Sequence, residues 1–220
     1  MQGMNWFYRL SWVFFRAFYG LYFRWRVYHP ERVPAVGGAI LASNHASYLD
    51  PPLVAAGLDR PVACLARDSL FRFAPTTWVL RRWGVVPLDR DGGSAAGLRV
   101  VLDLARRGTP IVLFPEGTRT YDGQLQPARS GIGLIVIKSS VPVIPVRLFG
   151  TYEAYGRHRL LPRPSRIVLK YGPPLGFERL RAEAKTASKA RLKEIYQEVA
   201  DEILKAIARI EPCEDKVSFP

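Results

Sequence analysis

The stretch Ala39-Ile40-Leu41-Ala42-Ser43-Asn44-His45-Ala46-Ser47-Tyr48-Leu49-Asp50, followed by Pro51, decides the fold class. Its first five residues are small or apolar and uncharged, and they are entered through the turn pair Gly37-Gly38, so they read as a short strand buried on both faces. Asp50 and Pro51 then stand where a helix over residues 51–58 needs its N-cap and its first-turn residue. A doubly buried strand that hands over to a helix after one short loop is the repeating unit of α/β layering.

The same alternation continues outward from this segment. Strands are expected at 62–66, 85–88, 111–114, 143–148 and 166–171, with helices over 94–107 and 131–139 and a helical stretch broken at Pro75 that runs to Trp83. Leu192, Ile195, Tyr196, Val199, Ile203, Ile207 and Ile210 recur at helical spacing and mark an amphipathic helix lying on the body. The expected fold is α/β: a mainly parallel or mixed central sheet flanked by helices. Neither an internal repeat nor a glycine-rich GxGxxG or GxxxxGK loop is present. Residues 29–220 read as a single α/β domain and residues 1–28 as an N-terminal arm.

The chain has 220 residues, 48% of them apolar, which is enough to bury a core and excludes disorder as the main state. Thirty-two Lys and Arg against nineteen Asp and Glu leave +13, a charge suited to an anionic partner. That excess lies entirely before residue 178, because residues 178–220 hold nine basic and nine acidic side chains. Two cysteines, Cys64 and Cys213, form no disulfide framework and have no zinc spacing, which favours a reducing compartment.

Residues 1–28 hold twelve of the twenty-six aromatic side chains. Arginines interrupt the segment too often for a simple transmembrane span, and a signal-peptide cleavage site is missing. Wound as a helix, Asn5, Arg9, Arg16, Gly20 and Arg24 fall on one stripe and aromatic rings cover most of the rest. Two readings stand: a helix lying in the lipid headgroup region, or a core helix covered by the domain. Four arginines count against the second. On the first reading, removing residues 1–23 abolishes vesicle binding.

His45 and Asp50 are five residues apart, a spacing that lets a loop bring the carboxylate onto the imidazole Nδ1–H and leave Nε2 as a base. From the pair alone a blander reading also stands, in which His45 closes a strand and Asp50 caps a helix. A second cluster, Phe114-Pro115-Glu116-Gly117-Thr118-Arg119, follows an apolar strand. It puts a carboxylate, an approachable backbone and a forked cation at a strand's carboxyl end, where open α/β sheets bind ligands. Gly84-Val85-Val86-Pro87-Leu88-Asp89-Arg90 delivers Arg90 in the same manner, and Val141-Pro142-Val143-Ile144-Pro145-Val146 supplies an apolar wall. Arg157, Arg159, Arg163, Arg166 and Lys170 have no acid among them; an anionic donor, a lipid surface or plain solvation each accounts for them.

Taken together, Asn44-His45-x4-Asp50, GVVPLDR, FPEGTR and VPVIPV resemble, in order and rough spacing, the four blocks of the glycerolipid acyltransferases, the bacterial 1-acylglycerol-3-phosphate acyltransferases most of all. The resemblance covers residues 27–171. Ala128-Arg129-Ser130-Gly131 is similar to the family's basic-x-Gly element with Arg in place of the commoner Lys, and Thr120 stands where Ser is usual. The resemblance implies transfer of a fatty acyl group from a thioester of coenzyme A or acyl carrier protein to the sn-2 hydroxyl of lysophosphatidic acid, by direct attack. His45 would be the base and Asp50 its partner. Arg90 and Arg119, with Arg129, would hold the phosphate. Glu116 would orient the acceptor or brace Arg119, while Gly117 and Thr118 complete the binding turn, with backbone amides near Gly117 facing the oxyanion. The co-substrate is the thioester, and neither a further cofactor nor a metal is expected. The implied partner is a membrane surface, at the cytoplasmic face of the cell membrane, with peripheral or monotopic attachment. Nucleic acid is disfavoured because the aromatics gather in one arm instead of interleaving with basic residues. Glycerol 3-phosphate, another lysophospholipid or a lyso-aminolipid as acceptor, and a non-enzymatic lipid-binding role, are the alternatives.

Overall fold

The computed structural model describes residues 6–88 and 94–212. Seven strands form one mixed sheet: β1 Arg26–Tyr28, β2 Ala39–Ser43, β3 Ala63–Arg67, β4 Val85–Leu88, β5 Pro110–Leu113, β6 Val143–Phe149 and β7 Val168–Tyr171, in the spatial order β1-β7-β6-β2-β5-β3-β4. Every neighbouring pair is parallel except β6 with β7. The five strands from β6 to β4 therefore point their carboxyl ends the same way. The helices are α1 Trp6–Phe23, α2 Asp50–Ala56, α3 Ala74–Arg82, α4 Ser94–Arg106, α5 Ser130–Lys138, α6 Thr151–Tyr155, α7 Glu178–Glu183 and α8 Lys189–Arg209.

β2 is fully buried and lies between β5 and β6. Its side chains alternate between two cores, as the two-residue strand period requires. Ala39 and Leu41 pack with Leu53, Ile144 and Leu169 on one face, while Ile40 and Ala42 pack with Ile111, Val136, Ile195 and Ile203 on the other. The second layer depends on a close approach of α5 to α8: a Cβ at Gly133 would overlap the Tyr196 carbonyl, so only glycine fits there. Ser188 opens α8 by accepting from the Arg191 N–H at 3.2 Å, and Ile195, Val199, Ile203 and Ile207 form its buried stripe.

The mixed sheet flanked by helices expected from the sequence is present, and the predicted strands and long helices are found with ends shifted by a few residues. Pro75 lies in the first turn of α3, after a separate 3₁₀ turn over Asp68–Phe71, so the expected break is the start of a helix. β1, α6 and α7 were not anticipated; they are three, five and six residues long, too short for a hydrophobic period to show.

The boundary expected at residue 28 does not separate two bodies. β1 pairs with β7, and Tyr19 and Phe23 of α1 belong to the same buried cluster as Leu41 and Leu53. Tyr8, Tyr19 and Phe23 are buried, and Phe15 meets Trp83 edge-on at 5.3 Å. Arg16 donates to the Ala56 carbonyl and to Asp59 (2.9 Å), and its guanidinium lies over the Trp12 ring. The opposite face of α1 carries Trp6, Leu10, Val13, Phe14, Phe18 and Leu21, all exposed. The core reading of the arm thus holds for one face, and the other face is apolar and exposed. Of the expected cationic stripe, Asn5 lies outside the described residues and Arg24 follows the end of α1, while Arg9 is exposed and Arg16 reaches the body through Ala56 and Asp59. No described helix is long and apolar enough to cross a membrane.

Candidate active site

The carboxyl ends of β2 and β5 deliver the two loops that make the site. At the end of β2, Asn44 is buried and its side-chain amide bonds both the carbonyl and the N–H of Leu148 (3.0 and 2.8 Å). The side chain thereby continues the ladder to β6 while the backbone turns away. His45 follows. Its Nδ1 stands 2.9 Å from Asp50 Oδ2, and its ring stacks on Phe114 with 3.8 Å between centroids.

The same Asp50 oxygen accepts the backbone N–H groups of Ala46 (2.6 Å) and Ser47 (2.7 Å), and the residue is fully buried. Asp50 was expected to cap the helix it opens. Its carboxylate turns upstream instead, and α2 has no side-chain cap. Three donors on one oxygen fix the loop and the imidazole together. A carboxylate acceptor selects the tautomer with hydrogen on Nδ1, which leaves Nε2 with a lone pair.

The loop after β5 is knitted to this one through the backbone. Thr120 N–H donates to the His45 carbonyl at 2.8 Å, and His45 N–H donates to Glu116 Oε1 at 3.2 Å. Glu116 makes no ion pair with Arg119; it lies 2% exposed with its Oε2 unpartnered, bonds the His45 main chain and does not line the cavity described below. Burial pushes its carboxyl up to about 7, helped by nearby Asp50 and opposed by backbone donors including His45. The folded protein thus holds this proton more tightly than the unfolded chain between about pH 4.5 and about 7. Its contribution to stability is complete below that window and is lost as pH rises through it. Glu116→Gln, which keeps an acceptor for His45 N–H, is expected to flatten the fall of thermal midpoint with pH across this window; an unchanged slope would assign that fall to other groups.

Gly117 has φ of +69°, and a Cβ there would lie 2.9 Å from Arg129 Cδ. Its N–H is closed in a turn onto the Phe114 carbonyl at 3.0 Å. The amide nearest the sequence-expected oxyanion site is thus already engaged. Arg129 sits exposed behind this turn, with its N–H on the Pro115 carbonyl, and is not among the cavity-lining residues. Arg90 lies outside the described residues.

His45, Thr118 and Arg119 share one cavity of about 620 Å³. Arg119 places its guanidinium carbon 3.4 Å from the centre of the Tyr48 ring, and its Nη1 is buried without a protein partner. A buried cationic donor left unpaired is costly unless an anion meets it. Arg157, read from sequence only as part of a basic run, enters the same cavity from the segment after α6. Its Nη2 donates to Thr118 Oγ1 (2.6 Å) and its Nε to the Arg119 carbonyl (3.1 Å), over the Tyr121 ring. Arg67, at the end of β3, also lines the cavity. The acid-free run from Arg157 to Lys170 signals Arg157, but nothing in the sequence brings it to Thr118.

Away from these cations the cavity walls are apolar, formed by Tyr8, Trp12 and Phe15 of α1, Pro51, Pro52 and Ala55 of α2, Leu65 of β3, and Leu80 and Trp83. Cys64 also lines it, its thiol pushed up to about 12 by burial and thus un-ionised near neutrality. One space therefore offers a base, two or more guanidinium groups and a long apolar wall, suited to a molecule with an anionic head and a hydrocarbon tail.

Comparison with known proteins agrees with this chemistry. The chain is 33% identical over 135 residues to a chloroplastic 1-acyl-sn-glycerol-3-phosphate acyltransferase of Brassica napus, covering 60% of this chain and 37% of that protein. It is 30% identical over 159 residues to 1-acyl-sn-glycerol-3-phosphate acyltransferase beta of Homo sapiens, covering 70% and 54% respectively. It thus spans less than two thirds of the length of these relatives. The crystal structure of the 1-acyl-sn-glycerophosphate acyltransferase PlsC from Thermotoga maritima superimposes with a TM-score of 0.70 at 27% identity, over 93% of this chain and 80% of that one. A family model described as Acyltransferase matches residues 24–148, which takes in both loops of the His45 site, and on that match the chain belongs to the acyltransferase family.

Proposed function

We propose that this protein transfers a fatty acyl group from a thioester of coenzyme A or acyl carrier protein to the sn-2 hydroxyl of 1-acylglycerol 3-phosphate, giving phosphatidic acid. The observation that carries the reading is the convergence of a carboxylate-held imidazole and an unpartnered Arg119 donor on a single apolar-walled cavity. His45 Nε2 takes the hydroxyl proton as the oxygen attacks the thioester carbonyl. The C–S bond breaks as the ester forms, and the proton on His45 passes to the departing thiolate. Asp50, already bound to the Nδ1–H, stabilises the imidazolium that exists between those two transfers. Arg119 and Arg157 meet the phosphate, and the apolar walls take hydrocarbon.

By the same reading the protein works as a peripheral or monotopic enzyme at the cytoplasmic face of the cell membrane. The supporting feature is the outward face of α1, a contiguous apolar strip on a chain of net charge +13. The test is purified protein with labelled acyl-CoA, or acyl carrier protein, and a panel of lysophosphatidic acid, glycerol 3-phosphate and other lysolipids. Transfer to lysophosphatidic acid above all others is expected; preference for an acceptor without phosphate would overturn the assignment.

Arg119→Ala is expected to raise the acceptor KM by about 10- to 100-fold, the range of a lost charge-assisted hydrogen bond, with the donor KM nearly unchanged. An unaltered acceptor KM would take the phosphate away from Arg119.

A further inference from the structure

We propose that the loop between α6 and β7, residues 156–167, is a second lipid-contacting element that sets its leucine tip into an anionic bilayer beside the cavity mouth. The inference rests on the reading above that the enzyme works at a membrane, and extends it to a surface apart from α1.

Leu160 and Leu161 are 94% and 79% exposed, two adjacent large apolar side chains turned to solvent. They are held there by a fixed backbone. Arg159 N–H donates to the Gly156 carbonyl (3.1 Å), Arg163 N–H to the Ala154 carbonyl (2.9 Å), and Tyr22 Oη of α1 to the Pro162 carbonyl (3.1 Å). A tip pinned on both sides that nonetheless presents two leucines has an apolar environment to gain outside the protein.

The surroundings identify that environment. Not one acidic residue occurs between Glu153 and Glu178, and Arg163 and Arg166 are exposed next to the tip. Apolar side chains ringed by cations fit an interface of acyl chains under anionic headgroups. The Tyr22 bond ties the loop to the carboxyl end of α1, where Phe18 and Leu21 are also exposed. Near its other end the loop carries Arg157, which lines the cavity with Arg119. The leucine tip thus lies in a loop that joins a cavity-lining arginine to the carboxyl end of α1.

The full-length protein is compared by co-sedimentation with phosphatidylcholine vesicles and with phosphatidylcholine vesicles containing phosphatidylglycerol. Leu160→Ser combined with Leu161→Ser is expected to lower partition into both by about 10-fold or more. Arg163→Gln with Arg166→Gln should lower only the anionic partition, by about fivefold or more for each charge. Both variants should keep their thermal midpoint and their turnover of a water-soluble short-chain acceptor. Unchanged partition of the leucine variant, while a Trp6→Ser, Phe14→Ser variant detaches, would overturn the loop's role and leave α1 as the sole contact. An arginine variant that keeps vesicle partition but loses transfer from acyl carrier protein would assign the face to the carrier and overturn the lipid proposal. Should the acceptor panel fail while the leucine effect persists, the substrate reading falls and the loop contact stands. Wild-type protein that ignores both vesicle types would remove the membrane reading and this inference together.

Discussion

His45→Ala is expected to lower acyl transfer by at least about 10²-fold and to leave the fold standing, because positioned base catalysis contributes about 10²–10⁴-fold. The expectation of an intact fold comes from how the loop is anchored. His45 holds the two loops together through its main chain, its N–H on Glu116 and its carbonyl under Thr120 N–H, and both bonds survive truncation of the side chain. What alanine removes is the ring stacked on Phe114 and the contact to Asp50. Asp50→Ala should behave differently. It strips the acceptor from the buried N–H groups of Ala46 and Ser47 as well as from the imidazole, at roughly 1–3 kcal/mol for each group left unpaired. Activity and stability then fall together. Single-turnover acyl transfer measured beside thermal unfolding separates the cases. Near-normal turnover by His45→Ala would take the imidazole out of the reaction, and an unchanged thermal midpoint for Asp50→Ala would deny its anchoring role.

The strand and loop that carry His45 were readable from the sequence because each level of the local chemistry agrees: an apolar strand, a turn, a proline-opened helix and a carboxylate at the right distance. The same consistency made the β5 turn readable, since the turn holds its backbone at φ of +69°, a conformation glycine adopts without strain. Roles that depend on a third element were not readable. Glu116 supports His45 from below because β2 and β5 are neighbours, a pairing made by the sheet across sixty-odd residues of intervening chain. Arg157 reaches Thr118 from beyond β6, and only the fold makes them adjacent. Periodicity could place a cationic stripe on α1 but could not say which side the body covers. A helix with rings on nearly every face offers two hydrophobic surfaces, and the wheel does not rank them.

That double nature of α1 sets the second large effect. Phe23→Ala is expected to destabilise the protein by about 3–5 kcal/mol, the usual range for a large side chain removed from a packed core. Phe23 is fully buried, stands against the Tyr22 ring at 4.8 Å and near those of Phe18 and Tyr19, and its carbonyl accepts from Ile167 N–H beside β7. Removing residues 1–23 would strip Tyr8 and Tyr19 from the core as well, along with the Arg16 bonds to α2's end and Asp59. Against a typical stability of about 5–15 kcal/mol such a loss leaves little folded protein. Failure of the truncated chain to sediment with vesicles would then report unfolding, and the expectation that deletion isolates the anchor does not survive the structure. The separable experiment uses the other face. Trp6→Ser, Leu10→Ser and Phe14→Ser alter side chains that are 69%, 63% and 62% exposed, so each should change stability by no more than about 0.5 kcal/mol. Their combination should nevertheless detach the protein from vesicles. Calorimetry and co-sedimentation on the two sets give opposite patterns if α1 is a core helix on one side and an interfacial helix on the other. A Phe23→Ala protein as stable as wild type would place the helix outside the core, and a Trp6, Leu10, Phe14 triple variant that still binds vesicles would place the lipid contact away from α1.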